Sequence, residues 1–320
     1  MKSIGGYFGL DSRDNHQYHE KALKLNSGRN AFEWLLSNRK YKNVYIPAYC
    51  CYSLLEPLKK TDTPFTIYHV DYSLEIEGSA PQLKKDEAFL YVNYFGIKSS
   101  YVDRLYKLYG HQLIIDNSQA FFKRPVSKKV STFYSPRKFF GVSDGGYLYS
   151  SGITDEGLKQ EVSYDRMMHL LIRIDSSPED GFETYKKNEQ LIIERPVSRI
   201  SSITSSILSN INYKKIREIR KRNFIYLNDG LAALNLLQLC DIKNYEPMVY
   251  PLLIDKPGLR QYLIDQKIYC AQYWPKTIGN LSDKELFIRA SLLPLPIDQR
   301  YGFEDMQRII NTVKEYANNY

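Results

Sequence analysis

Leu113-Ile114-Ile115-Asp116-Asn117-Ser118-Gln119-Ala120 begins as an unbroken apolar strand and ends on a carboxylate. A strand without apolar–polar alternation has both faces covered, as in a parallel sheet packed between helices. Similar short runs lie upstream, at Val44-Tyr45-Ile46-Pro47, at Phe65-Thr66-Ile67-Tyr68-His69-Val70-Asp71 and at Ala88-Phe89-Leu90-Tyr91-Val92. Helical patterns alternate with them: residues 30–36, opened by Ser27 and Gly28, and residues 101–109, where apolar positions recur every three to four. This alternation predicts an α/β architecture whose large domain has a mostly parallel central sheet flanked by helices. Ligands of such sheets bind at the carboxyl ends of the strands. Pro47, Asn93, Asp116 and the loop leading to Lys138 all fall there.

The second half reads differently. Residues 164–188 are polar and irregular, and a long helical stretch over 200–237 breaks near Asn212. Beyond Pro247 come a strand-like run at 248–254, a helix at 259–266, a second strand-like run at 268–274 and a closing helix from Phe303. We expect a large domain over 1–210, and over 211–320 a linking helix followed by a small α+β domain. The chain has 320 residues, 25% of them charged and 43% hydrophobic, which suits a water-soluble globular protein. No run is long and apolar enough for a membrane span. The opening Met1-Lys2-Ser3-Ile4-Gly5-Gly6 lacks the apolar core of a signal peptide. Cys50, Cys51, Cys240 and Cys270 show neither zinc spacing nor a disulfide framework, so a reducing cytoplasm is the expected home. The formal net charge of +8 suits an anionic ligand. Much of it lies in Tyr213-Lys214-Lys215-Ile216-Arg217-Glu218-Ile219-Arg220-Lys221-Arg222, which reads as a solvated helix face; no nucleic-acid-binding signature accompanies it.

Three sites carry chemistry. In Phe133-Tyr134-Ser135-Pro136-Arg137-Lys138-Phe139-Phe140-Gly141, a lysine stands among bulky apolar residues with Ser135 three positions before it, and Asp144-Gly145-Gly146 follows. Apolar surroundings favour the unprotonated amine that attacks carbonyls, and glycines let backbone approach a ligand closely. The same pattern also describes a snorkelling surface lysine. Ser27-Gly28-Arg29 opens a helix, where free amides and the helix dipole favour a phosphate or where the serine is simply a cap. Asp116 at a strand end can pair with a protonated pyridine nitrogen and keep it cationic, or it can form a turn. Helix start, strand-end Asp and Ser-x-x-Lys followed by Gly-Gly occur in the order that a pyridoxal phosphate site requires.

In these motifs the chain resembles the DegT/DnrJ/EryC1/StrS family of pyridoxal phosphate-dependent sugar aminotransferases, which have fold type I of the aspartate aminotransferase superfamily. Tyr45-Ile46-Pro47-Ala48-Tyr49, Arg199-Ile200-Ser201 and Leu293-Pro294-Leu295-Pro296-Ile297-Asp298 add to the likeness, which is loose over 150–195. The resemblance implies a Schiff base between Lys138 and pyridoxal 5'-phosphate, with Lys138 the catalytic residue. It implies Asp116 on the pyridine nitrogen, Gln119 near the ring hydroxyl beside Ser118, and Ser27, Ser135 and the amides of Gly28 and Arg29 around the phosphate. Arg199 would reach the phosphate of a neighbouring subunit in a homodimer. Ungapped counting puts Cys51 where the family has an aromatic on the cofactor ring; stacking needs a flat ring, so Tyr52 is expected to take that role. Tyr94, Tyr273 and Trp274 lie in segments that face the substrate in relatives, although aromatic core packing explains them equally well.

The implied reaction converts a nucleotide-diphosphate keto sugar to an amino sugar with glutamate as donor. A sugar dehydratase of the same family and a non-catalytic scaffold are the rival readings. No metal is expected: the histidines form no ligand cluster, and His16 and His19 share only helical spacing.

Overall fold

A computed structural model describes residues 4, 6–10 and 16–319; most of the leader reading at residues 1–6 falls outside these. In chain order the elements are β1 (Leu23–Leu25), α1 (Gly28–Arg39), β2 (Asn43–Pro47), α2 (Leu55–Lys60), β3 (Phe65–Tyr68), β4 (Glu87–Val92), α3 (Ser99–Tyr109), β5 (Leu113–Asp116), β6 (Ser131–Tyr134) and β7 (Gly146–Tyr149). Then follow α4 (Met168–Asp175), α5 (Phe182–Ile193), α6 (Ser202–Ser209), α7 (Tyr213–Leu231), β8 (Val249–Leu253), α8 (Leu259–Asp265), α9 (Asp283–Ser291), β9 (Leu292–Pro296) and α10 (Phe303–Asn319).

Strands β1 to β7 form one sheet in the order β1-β7-β6-β5-β4-β2-β3. β3, β2, β4, β5 and β6 are mutually parallel, while β7 is antiparallel to both β6 and β1. All four residues of β5 and of β6 are buried, as their unbroken sequences require. Helix α1 packs on the sheet through Phe32 against Phe133, ring centroids 5.3 Å apart. On the other flank Tyr68, Phe89 and Tyr109 stack in a row at 4.5 and 4.7 Å. The parallel arrangement brings the ends of β4, β5 and β6 to one edge: Val92 pairs with Asp116, and Asp116 with Phe133.

Two expectations fail. Residues 268–274 are not a strand: β8 pairs only with β9. Pro251 lies opposite Pro294 in that ladder, and neither has an N–H to offer a third strand. Residues 164–188, expected to be irregular, contain α4 and the first half of α5. The misleading signal is the turn Ser176-Ser177-Pro178-Glu179-Asp180-Gly181, where the Asp180 carboxylate accepts from the Ser176 and Ser177 hydroxyls. That cluster ends one helix and starts the next. The buried apolar core runs on from the large sheet into α7, β8, β9 and α10. No described helix is long and apolar enough to cross a membrane.

Candidate active site

The edge formed by β5 and β6 gathers the polar residues singled out above. Asp116 is buried, its carbonyl accepts the Asn93 amide at 3.0 Å, and its Oδ1 accepts the Ser118 amide at 2.7 Å. Burial raises its carboxyl above the usual range, against the opposing pull of the nearby Lys138 ammonium and the Ser118 hydrogen bonds. Gln119 is also buried; its Oε1 accepts the Phe95 amide at 2.9 Å, while its Nε2 has no partner. A buried donor left unmade costs about 1–3 kcal/mol, so this position favours a further acceptor.

Helix α1 meets this edge at its first residue. A Cβ on Gly28 would lie 3.3 Å from Ser135 Cβ, 3.3 Å from the Tyr134 carbonyl oxygen and 3.4 Å from Ser118 Oγ. Glycine therefore lets the helix start close on the two serines, leaving the first-turn amides of Gly28 and Arg29 without intrahelical acceptors. The Ser27 hydroxyl is committed as the cap, accepting from the Asn30 amide at 3.0 Å. The Arg29 guanidinium is ion-paired with Glu56, Nε to Oε2 2.9 Å. The Gly145-Gly146 turn has a different use from the one expected. Gly145 adopts φ +116°, its amide donates to the Asn26 carbonyl at 2.7 Å, and a Cβ on Gly146 would sit 2.2 Å from the Ser27 carbonyl oxygen. These glycines bring backbone against the helix start, not against a ligand.

Lys138 ends a short turn, Pro136–Lys138, and its side chain is exposed. Its apolar neighbours do not enclose it: Phe139 and Phe140 turn into the core against Phe121 and Phe122. The turn is anchored from the C-terminal half, where the Phe139 carbonyl accepts from Gln299 Nε2 at 2.8 Å and Arg220 Nη2 at 3.4 Å. The Arg220 guanidinium lies 4.6 Å over the Phe139 ring and donates to the Met248 carbonyl at 3.0 Å. Arg220 was expected on a solvated face. It is buried because it shares a helical face with Phe224, Leu227 and Leu231, a spacing that was visible in the sequence. Asp144 was also missed as a structural centre. Its buried carboxylate accepts from Ser201 N (2.8 Å), Ser201 Oγ (2.7 Å), Ser163 Oγ (3.2 Å) and the Thr204 hydroxyl, tying the turn before β7 to α6.

Other expected residues lie apart. Arg199 is exposed and lines a cavity of about 630 Å³ with Lys24, Gln160 and the serines of α6. Tyr52 is 39% exposed, and Cys51 accepts a hydrogen bond from Ser53 at 3.0 Å. Tyr94 is fully buried, packs the core and donates its hydroxyl to the Tyr49 carbonyl at 2.7 Å. Tyr273 accepts the Tyr49 hydroxyl on its carbonyl at 2.8 Å; its ring lies 5.8 Å from Phe95, and Trp274 packs 5.0 Å from Tyr49. His16 pairs with Glu20 at the surface, whereas His19 is buried between the Phe121 carbonyl and the Tyr149 hydroxyl.

No protein-family model matches this chain, and no curated protein does. Solved structures do. The sugar aminotransferase CalS13 from Micromonospora echinospora superposes with a TM-score of 0.66 at 14% identity, over 92% of this chain and 87% of that one. A DegT DnrJ EryC1 StrS aminotransferase from Brucella abortus gives 0.62 at 15%, over 92% and 85%. Ntda from Bacillus subtilis, solved with the cofactor PMP, gives 0.65 at 12%, over 92% and 73%. The chain therefore has the fold of these aminotransferases: a mostly parallel sheet between helices, followed by a small α+β region.

Proposed function

We propose that this protein is a pyridoxal phosphate-dependent aminotransferase of the DegT/DnrJ/EryC1/StrS type that converts a nucleotide-linked keto sugar to an amino sugar, with glutamate as donor. The observation that carries this reading is the close approach of Ser118 and Ser135 to the helix start at Gly28, where a Cβ would lie 3.3–3.4 Å from each, beside the end of β5 that holds Asp116 within electrostatic reach of Lys138.

The residues present fit the cofactor. The close approach at Gly28 is a cradle that any side chain would crowd, and Gln119 Nε2 is a buried donor in need of an acceptor. Lys138 would carry the group, Asp116 would face its pyridine nitrogen, and Gln119 its ring hydroxyl. Ser118, Ser135 and the first-turn amides of α1 would hold its phosphate. When bound, the group supplies an electron sink for the carbon that bears the amine. Asp116 favours that chemistry by keeping a negative charge against the ring nitrogen, a partner that in turn lowers its own pKa. The Lys138 Nζ moves the proton at the substrate carbon, and the Arg220 and Gln299 bonds to Phe139 hold the turn that aims it. Tyr273 and Trp274 would border the sugar. The net charge of +8 suits a diphosphate-bearing substrate. A homodimer would bring Arg199 of one subunit toward the other's phosphate, with residues 1–210 forming the cofactor-binding part.

The test is incubation with pyridoxal phosphate, borohydride reduction and peptide mass spectrometry, followed by glutamate and a panel of nucleotide-linked keto sugars. A reduced adduct on Lys138 and glutamate-dependent amino sugar formation are expected. Absence of the adduct rejects the mechanism, and water loss from the sugar without glutamate consumption would place the enzyme among the dehydratases.

A further inference from the structure

The Lys138 side chain is exposed, so the direction of its amine depends on the backbone that carries it. After it, the Phe139 carbonyl is held by Arg220 and Gln299. Before it, the anchor is α5: the Arg137 guanidinium, its side chain 16% exposed, is ion-paired through Nη2 with Glu189. Asn188, the residue preceding Glu189, reaches the far end of the same loop and donates its Nδ2 to the Ser143 carbonyl at 3.2 Å. Asn188 is 2% exposed and its Oδ1 has no hydrogen-bond partner. The Ser143 bond is therefore what offsets the burial of that amide. From α4, Leu170 closes on the middle of the loop, since a Cβ on Gly141 would lie 3.4 Å from its Cδ2. The hairpin of α4 and α5 thus touches the segment 137–143 at its start, its middle and its end.

Little else holds the hairpin. α4 buries no residue and α5 buries Asn188 and Ile192, while Met168, Leu171, Ile174, Phe182 and Tyr185 are exposed. An element with so few buried apolar contacts opens locally at low cost, so its polar contacts with the loop fix where the two sit. A carboxylate paired with a guanidinium in such dry surroundings is stronger than an exposed pair. Inside the loop, the Phe139 and Phe140 amides donate to the Pro136 carbonyl and the Val142 amide to the Phe140 carbonyl. Loosening either end of the loop frees these amides together. A misplacement of about 1 Å in a reacting group costs on the order of a hundredfold in rate.

We propose that Glu189 and Asn188 are positioning residues for Lys138: the α4–α5 hairpin clamps the loop 137–143 and sets where the amine points. The clamp stands on the loop contacts alone; its consequence for amino transfer rests on the function proposed above.

The first measurement is hydrogen–deuterium exchange of the full chain, free of cofactor, read by mass spectrometry on peptides covering 136–143. Glu189→Gln, at a half-exposed position, and Asn188→Ala should each exchange about tenfold faster there, with β4 and β5 peptides unchanged. Glu183→Gln makes the same charge change on α5 at an exposed residue paired with Lys186, and should exchange like wild type. Loop exchange at the wild-type rate in Glu189→Gln overturns the clamp, and so does equal acceleration in Glu183→Gln. The second measurement is the rate of borohydride-trapped adduct formation on Lys138, together with steady-state kinetics. Glu189→Gln should form the adduct several-fold more slowly and lower kcat about tenfold, with the KM for glutamate within about twofold and the melting temperature kept. Adduct formation and kcat at wild-type levels in Glu189→Gln remove the positioning role and leave the cofactor reading standing. Absence of any adduct in wild type, with loop exchange still faster in Glu189→Gln, rejects the cofactor reading and leaves the clamp.

Discussion

The polar cluster at the ends of β5 and β6 and the aromatic cluster beside it are built on opposite principles. The first keeps a donor in reserve: the buried Gln119 Nε2 has no hydrogen-bond partner. The second spends everything internally. Tyr94 donates to Tyr49, Tyr49 to Tyr273, and the rings of Tyr49, Tyr94 and Trp274 pack on one another. Gln119 joins the two through the Phe95 amide. Phe95 itself is held at φ +54° by that bond and by the Met248 amide on its carbonyl. One cluster is organised to bind and the other to support, and variants should separate them.

The largest expected effect is on the binding side. Lys138→Ala should cut turnover on the order of a thousandfold or more and leave no reducible adduct, yet melt close to wild type because the side chain is exposed. A strongly lowered melting temperature would show Lys138 to be structural. The supporting side should answer in reverse. Gly96 has φ +75°, and a Cβ there would lie 2.1 Å from the Glu246 carbonyl oxygen, so Gly96→Ala should cost about 3 kcal/mol in denaturant titration.

Asp116→Asn should lose about 100-fold in activity while the cofactor-free protein becomes more stable at neutral pH. The sign follows from its raised pKa. The folded state holds this proton more tightly than the unfolded state, so Asp116 weakens the fold as pH rises above the ordinary value of 3.8. The gain in the variant should therefore vanish near pH 3; a gain that persists there would remove burial as its cause. His19 works in the opposite direction. Burial lowers its pKa from 6.5 to about 3, so its contribution is present above pH 6.5 and is lost as pH falls toward 3, on the order of a few kcal/mol. Melting temperatures from pH 7 to 4 should fall more steeply for wild type than for His19→Asn. The smallest effect belongs to Tyr94→Phe, which removes one buried hydrogen bond, about 1 kcal/mol, with kcat unchanged. A loss confined to kcat or KM would return Tyr94 to the substrate.

The central strands β2 to β5, α1 and α3, and the placing of Asp116 at a strand end were legible because each depends on local patterning. Unbroken apolar runs read as buried strands, and a serine before a helical pattern reads as a cap. What failed to read depended on partners distant in sequence. The run at 268–274 has strand-like residues, but Pro251 and Pro294 close the ladder to it. The Gly145-Gly146 turn looks like a ligand loop until Ser27, more than a hundred residues earlier, is found against it. Arg220 read as a surface charge because its company of Phe224, Leu227 and Leu231 was outvoted by the lysines and arginines around it.

By itself, then, the sequence determined the α/β class, the order of the helix start, the strand-end carboxylate and the lysine, and the kind of chemistry that order allows, since these rest on residue type and spacing along the chain. Only the tertiary structure decided that Gly28 closes on Ser118 and Ser135, that Lys138 stands exposed while its neighbours turn inward, and that Arg220 anchors the Lys138 turn. Those outcomes depend on which surfaces the long-range packing brings within a few ångströms, and spacing along the chain does not encode that distance.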